Sequence, residues 1–157
     1  MRVGITGHRG LSPDVEQNVR AMLNEVLSAY DPADLVGVSC IADGPDSWFA
    51  ESVLAHGGRI EVVVPATEYR TGLPAWHHDV YDRLMRGAAD VHSTGVDAST
   101  SEAHQAGSEI LVGLVDELVA VWDGKPAWGY GGTADVVDYA RRTGVPVRVL
   151  WPEGASR

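Results

Sequence analysis

The run at residues 59–66, RIEVVVPA, is too continuously apolar for a strand with one wet face, and it sets the strongest constraint on the fold. A short run of β-branched residues bounded by turn formers suits a strand covered on both sides, as in a parallel sheet. Similar runs occur at 2–6 (RVGIT), 34–42 (DLVGVSCIA), 117–124 (ELVAVWDG) and 145–152 (VPVRVLWP), with a minor one at 90–92. Between them lie segments of helical length. The segment 12–30 opens with Ser12 as N-cap and Pro13 at the first helical position, and its Val15, Val19, Met22, Leu23, Val26 and Leu27 recur every three or four residues. Further helices are expected at 45–58, after Pro74, at 97–116 with Ser99 or Thr100 as cap, and at 133–144 with Gly144 as the stop. Strands alternating with helices predict an α/β, Rossmann-like three-layer fold, with a mostly parallel central sheet and helices on both faces. The length of 157 residues suits a single domain over 1–157, fraying only at its last few residues.

Composition narrows the function classes. A formal charge of -10 argues against nucleic acid as a main partner, because backbone binding draws on clustered Lys and Arg. Lys125 is the single lysine, so a phosphate has to rely on arginines and backbone amides. Cys40 is the single cysteine, which excludes an intrachain disulfide. The N-terminus enters a strand pattern directly and no apolar run is long enough to span a bilayer. The expectation is therefore a cytoplasmic protein with no membrane partner.

In a parallel sheet of this kind ligands gather at the carboxyl ends of the strands. That rule selects GHRG (7–10), ADGPD (42–46), PATEYRTG (65–72) and WDGKPAWGYGGT (122–133). In the last, Gly131 and Gly132 would let backbone approach a ligand and Thr133 would cap the next helix, whose first amides face an anion. The same residues also suit a plain tight helix entry. His8 and Arg9 are expected exposed after the first strand, with Arg9 able to clamp a phosphate beside Gly7. At the second joint, Gly44 is a further candidate for the phosphate cradle, Asp46 and Glu51 are candidates for the sugar side of a ligand, and Trp48 for stacking or core. Acidic residues there also stabilise a helix start without any ligand.

The stretches GITGHR, CIADGPDSWFAE and GGTADVVDYARRTGVPVRVL together resemble the SLOG superfamily. It includes the DNA-processing protein DprA/Smf, the "lonely guy" cytokinin-activating phosphoribohydrolases and several nucleotide-sensor domains. Residues Ser39 to Asp46 are similar to the family's Ser-Gly-x-Ala-x-Gly-Ala-Asp pattern. The resemblance implies a Rossmann-like sheet binding a small phosphorylated, nucleotide-like ligand at its glycine loops. In the phosphoribohydrolase branch the glycine loop carries a catalytic glutamate. Here Trp128 stands in place of the loop's proline, Val136 stands at the glutamate's position, and Asp135 comes one residue early.

No catalytic residue is assigned, and neither a metal nor another cofactor is expected. His78 and Asp82 have the spacing of two ligands on one helix face, but no third ligand accompanies them. Two alternatives to simple binding remain. One is cleavage or transfer at an N-glycosidic bond using Asp97, Glu102, Asp135 or Glu51. The other is a structural or signalling subunit with a vestigial pocket, whose tryptophans Trp122, Trp128 and Trp151 face a partner in a homo-oligomer.

Overall fold

The computed structural model describes residues 1–127 and 129–157, so expectations resting on Trp128 lie outside the described residues. The chain runs β1 (Arg2–Gly7), α1 (Pro13–Leu27), β2 (Val36–Ser39), α2 (Pro45–His56), β3 (Arg59–Val64), α3 (Tyr69–Gly72), a 3-10 turn (Ala75–His77), α4 (His78–Arg86), β4 (Asp90–Ser93), α5 (Ser101–Gly113), β5 (Glu117–Val121), α6 (Thr133–Arg142) and β6 (Val147–Leu150). The six strands form one sheet in the order β4-β3-β2-β1-β5-β6, and every pairing is parallel. This is the three-layer α/β architecture expected from the alternation. The short α3 is an addition that the sequence pattern did not reveal.

Local chemistry explains the helix boundaries. Ser12 Oγ accepts the Val15 N–H at the start of α1, with Pro13 behind it, and Thr100 Oγ1 accepts the Ala103 N–H at the start of α5. Ser99, the other candidate cap, hydrogen-bonds His104 Nε2 instead, at 2.7 Å. α2 ends at Gly57, whose φ of 98° is the left-handed cap that only glycine adopts without strain.

The two faces of the sheet are covered by helices that come very close to its backbone. A Cβ at Gly37 would lie 2.7 Å from Val53 and 3.0 Å from Phe49 of α2. A Cβ at Gly4 would lie 2.7 Å from Leu111 of α5 on the opposite face. Phe49, Leu23, Leu27, Ile60, Leu111 and Leu118 are fully buried in this double core. Burying one such side chain contributes about 2–3 kcal/mol.

The topology fixes where a ligand site can form. From β1 the chain moves outward through β2, β3 and β4, then returns to the other side of β1 for β5 and β6. Strand order therefore reverses between β1 and β5, and the loops leaving those two strands diverge to opposite faces. A crevice opens between them at the carboxyl edge.

Candidate functional site

That crevice holds a cavity of about 400 Å³. Its floor is the end of β1, from Ile5 to Gly7, with Cys40 and Ala42 beyond β2. Its walls include Arg9 and Asp46 on one side, and Gly131, Gly132 and Thr133 at the start of α6 on the other. His104 and Ser108 of α5, Tyr69 of α3 and Arg157 complete it. Tyr69 falls in the PATEYRTG segment that the strand-end rule selected, and sequence reasoning missed the other three as cavity residues. His104, Ser108 and Arg157 have no local signature, since each is brought in by packing.

Gly7 is required by close approach. A Cβ there would lie 2.7 Å from Pro45 Cβ and 3.0 Å from Val121 Cβ, so β1 ends wedged between α2 and β5. Gly131 has φ 85°, and a Cβ on it would lie 2.8 Å from the Ser101 carbonyl oxygen, so the loop before α6 lies directly on the start of α5. The expected cap is displaced by one residue. Gly132 takes the N-cap position with extended backbone, and Thr133 is the first helical residue with its side chain buried. The Asp135 carboxylate fixes the turn, accepting the Gly131 N–H at 2.9 Å. The Thr133 and Ala134 amides at the start of α6 lie beside the cavity with the positive end of the helix dipole, whereas the Asp135 N–H is bonded to the Gly132 carbonyl at 3.0 Å.

His8 is not exposed as expected. It is buried, edge-on to Trp151 with ring centroids 5.6 Å apart, and its Nε2 accepts the Asp123 N–H at 3.2 Å. Burial lowers its pKa against the pull of Asp123, so a neutral ring stands here rather than a cation. The expectation of fraying after β6 is also corrected at Arg157. Its side chain is 11% exposed and bonds Asp123 Oδ2 at 2.9 Å and the Pro126 carbonyl at 2.7 Å.

Arg9 is the cation that remains at the mouth. Its side chain is 47% exposed and it donates to Asp43 Oδ1 through Nε at 2.9 Å and Nη2 at 2.6 Å. Asp46, in the first turn of α2, is half-buried and lines the same cavity, where its Oδ2 accepts a long 3.4 Å bond from the Ala42 N–H. Burial pushes its carboxyl up to about 7; the Ala42 N–H and Arg9 pull it down, and the neighbouring Asp43 adds to the rise. His104 is held below its usual value by burial and then by Arg9, and burial pushes the Cys40 thiol and the Tyr69 hydroxyl up.

The β2–α2 loop beneath Asp46 carries backbone strain. Ile41 has φ 47°, a left-handed conformation costly for a β-branched residue, on the order of 1–3 kcal/mol. Neighbouring side chains hold it there. Ser39 Oγ accepts the Ile41 N–H at 2.9 Å, Ser47 Oγ donates to the Ala42 carbonyl at 2.6 Å, and His77 Nε2 lies 3.0 Å from the Ile41 carbonyl.

Two of the expected ligand-binding residues, one from the phosphate cradle and one from the sugar side, lie elsewhere. Gly44, with φ 94°, and Glu51 line a second cavity of about 220 Å³ behind the Arg9–Asp43 pair. Glu51 is held by Arg20 at 3.4 Å and Arg83 at 2.9 Å, so its carboxylate is committed to two guanidinium groups. Trp48 is buried against Arg20, whereas Trp76 at the rim of that second cavity is 74% exposed. The other carboxylates considered for bond cleavage are also outside the main cavity. Asp97 accepts the Thr67 hydroxyl, Glu102 is exposed, and Asp135 serves the glycine turn. His78 faces the Leu73 carbonyl and Asp82 pairs with Arg70, so the spacing considered for a metal is used for helix packing.

A different set, Glu61, Asp90 and His92, brings its ligand atoms within 4.8 Å of one another, the one such group among the described residues. Arg2 already fills it, donating to both Glu61 oxygens at 2.6 and 3.0 Å.

No family model and no curated protein matches the sequence. Solved structures do match. The DNA processing protein A from Helicobacter pylori, described for its single-stranded DNA binding mode, superposes with TM-score 0.70 at 18% identity, over 99% of this chain and 68% of that one. DprA from Streptococcus pneumoniae gives 0.67 at 19%, over 94% and 49% of the two chains. The molybdenum cofactor carrier protein from Chlamydomonas reinhardtii gives 0.59 at 19%, over 97% and 78%. The chain thus has a Rossmann-like fold related to that of DprA and the molybdenum cofactor carriers, and it spans about half the length of the streptococcal protein. The charge-based exclusion of nucleic acid is corrected by this likeness, because a protein of the same fold binds single-stranded DNA. Net charge is a sum over the whole surface, whereas single strands are held by local grooves and stacking.

Proposed function

We propose that this chain belongs to the SLOG superfamily and that its main cavity binds a nucleotide or nucleotide-derived phosphorylated ligand. The observation that carries this reading is the convergence, at the strand-order reversal, of Arg9 with the first turn of α6 around one cavity of about 400 Å³. A phosphate seated there would meet unpaired helix amides and a half-exposed guanidinium, two donor types suited to an anion. The rest of the ligand would lie over the end of β1, against Cys40, Ala42 and Tyr69. The fold relatives agree in kind, being described as binding single-stranded DNA or carrying the molybdenum cofactor.

The test is calorimetric titration with adenosine and guanosine mono- and diphosphates and with a short single-stranded oligonucleotide as competitor. Saturable binding by the mononucleotides, weakened about tenfold or more in Arg9→Ala, is expected from the loss of a charge-assisted hydrogen bond. Mononucleotides that fail to bind while the oligonucleotide does would transfer the site to nucleic acid. Binding unchanged in Arg9→Ala would remove the phosphate from this cavity.

A further inference from the structure

The main cavity contains a contradiction if it receives an anion. Asp46 is a carboxyl in the same cavity as the amides of α6, and a carboxylate there would repel any phosphate that entered. Its position is imposed by the fold. Pro45 starts α2, Ser39 Oγ donates to the Asp46 carbonyl at 2.9 Å, and the strained Ile41 turn delivers Ala42 N–H to its Oδ2.

The charged and titratable groups around it pair chiefly with one another: Arg157, at the end of the chain, bonds Asp123, and His8 of the β1–α1 loop is held neutral by burial. Arg9, from the β1–α1 loop, spends two donors on Asp43. Asp43, from the loop that precedes α2, is itself acidic and 8% exposed on its side chain. Cys40 at the end of β2 and Tyr69 of α3 are held protonated by burial, and His104 of α5 is held neutral. An anion that draws Arg9 toward itself would leave Asp43 and Asp46 sharing still less positive charge.

We propose that anion binding in this cavity takes up one proton at Asp46, so that Asp46 sets the ligand charge the site accepts. This rests on the reading of the cavity as an anion site. The proton comes from solvent, the carboxylate becomes a neutral acid, and its hydroxyl becomes a donor facing the ligand. Burial has already moved this carboxyl close to neutrality, to about 7, so that the uptake requires little free energy at physiological pH. The sign follows directly. Below pH 7 Asp46 is already neutral and affinity is flat. Above it each pH unit costs up to about tenfold in affinity.

Inorganic sulfate is the suitable probe, because it stays doubly charged over the range whereas a phosphate monoester titrates near pH 6. Its affinity is measured by chemical-shift titration between pH 6.5 and 8.5, a window in which His8 and His104 are neutral and Cys40 and Tyr69 keep their protons. The expected result is a roughly 20-fold weakening across the window for the natural chain and equal affinities at both ends for Asp46→Asn. A natural chain that binds sulfate equally at both pH values overturns the proposal while leaving the anion site intact, and so does a slope retained in Asp46→Asn. Sulfate and mononucleotides that bind neither chain at any pH overturn the anion site itself. Should Asp46→Asn fail to fold, carbon-13 titration of the Asp46 carboxyl in the natural chain decides. Its midpoint is expected to rise at saturating sulfate, and an unmoved midpoint overturns the proposal.

Discussion

Two carboxyl groups sit at opposite ends of this sheet and experience opposite fields. At the amino-terminal end, Glu61 receives both forks of Arg2 and the His92 ring at 2.8 Å, and Arg2 is further fixed by the Leu114 carbonyl at 2.6 Å. Those bonds hold the Glu61 carboxyl down at about 2. At the carboxyl end, Asp46 has one long backbone bond, while the guanidinium beside it is bonded to Asp43. Burial carries its carboxyl up to about 7. The amino-terminal end compensates its charge within the chain, and the carboxyl end leaves charge, amides and strain uncompensated around a cavity. A polar group paired internally stabilises the fold, whereas one left unpaired beside a cavity costs stability and is available to a ligand.

This contrast can be broken from either side. The largest effect is expected for Gly7→Ala, which drives a methyl into Pro45 and Val121 and destabilises the chain by about 3 kcal/mol in urea unfolding. The same change would tilt the start of α2 and lower mononucleotide affinity. Next, Glu61→Gln removes the compensated pair and is expected to cost about 2 kcal/mol near neutral pH, after allowing for the partial exposure of Arg2. Because the folded pKa is depressed, the Glu61 contribution is present above about pH 4.5 and is lost as pH falls toward 2. The variant and natural chains should therefore converge in stability in acid.

The opposite sign is expected at the other end. Asp46 has a raised folded pKa, so its contribution is fully present below about pH 4 and is lost as pH rises through about 7. Asp46→Asn should match the natural chain at pH 4 and exceed it by about 1 kcal/mol at pH 8, once the water reaching the half-buried carboxyl is allowed for. Thermal unfolding at pH 4 and pH 8 measures this, and at pH 2 and pH 7 it measures the Glu61 variant. Arg142→Ala sets the scale for a pair that belongs to neither end. Its bond to Asp138 is an exposed i,i+4 contact, and its loss should change stability by about 0.3 kcal/mol.

Local chemistry made much of this legible before any coordinates. Ser12 with Pro13, the RIEVVVPA run and the glycines after α2 and α6 are readable because caps, apolar runs and left-handed turns depend on nearest neighbours in sequence. Gly7, Arg9, Asp46 and the Gly131–Thr133 turn line one cavity, and their place at the strand ends was legible because the parallel-sheet rule points there. Glu51 and Gly44 were misplaced for a reason of the same kind. They follow the correct strand, but the helical turn carries Glu51 to Arg20 and Arg83 on the far side of the Arg9–Asp43 pair. His8 was misread because nothing local indicates that Trp151, far along the chain, packs against its ring. The charge count failed against nucleic acid because it has no spatial resolution.

What the sequence by itself determined is the alternation of strands and longer helices, most of their ends and the edge of the sheet where loops collect, since all of these arise from backbone preference and short-range periodicity. The tertiary structure alone decided which of the carboxyls find a cation. Glu61 and Asp46 are both acidic residues beside buried strands. One meets Arg2 from 59 residues away and the other meets a guanidinium bonded elsewhere, because electrostatic partners are set by distance in space and the fold assigns those distances.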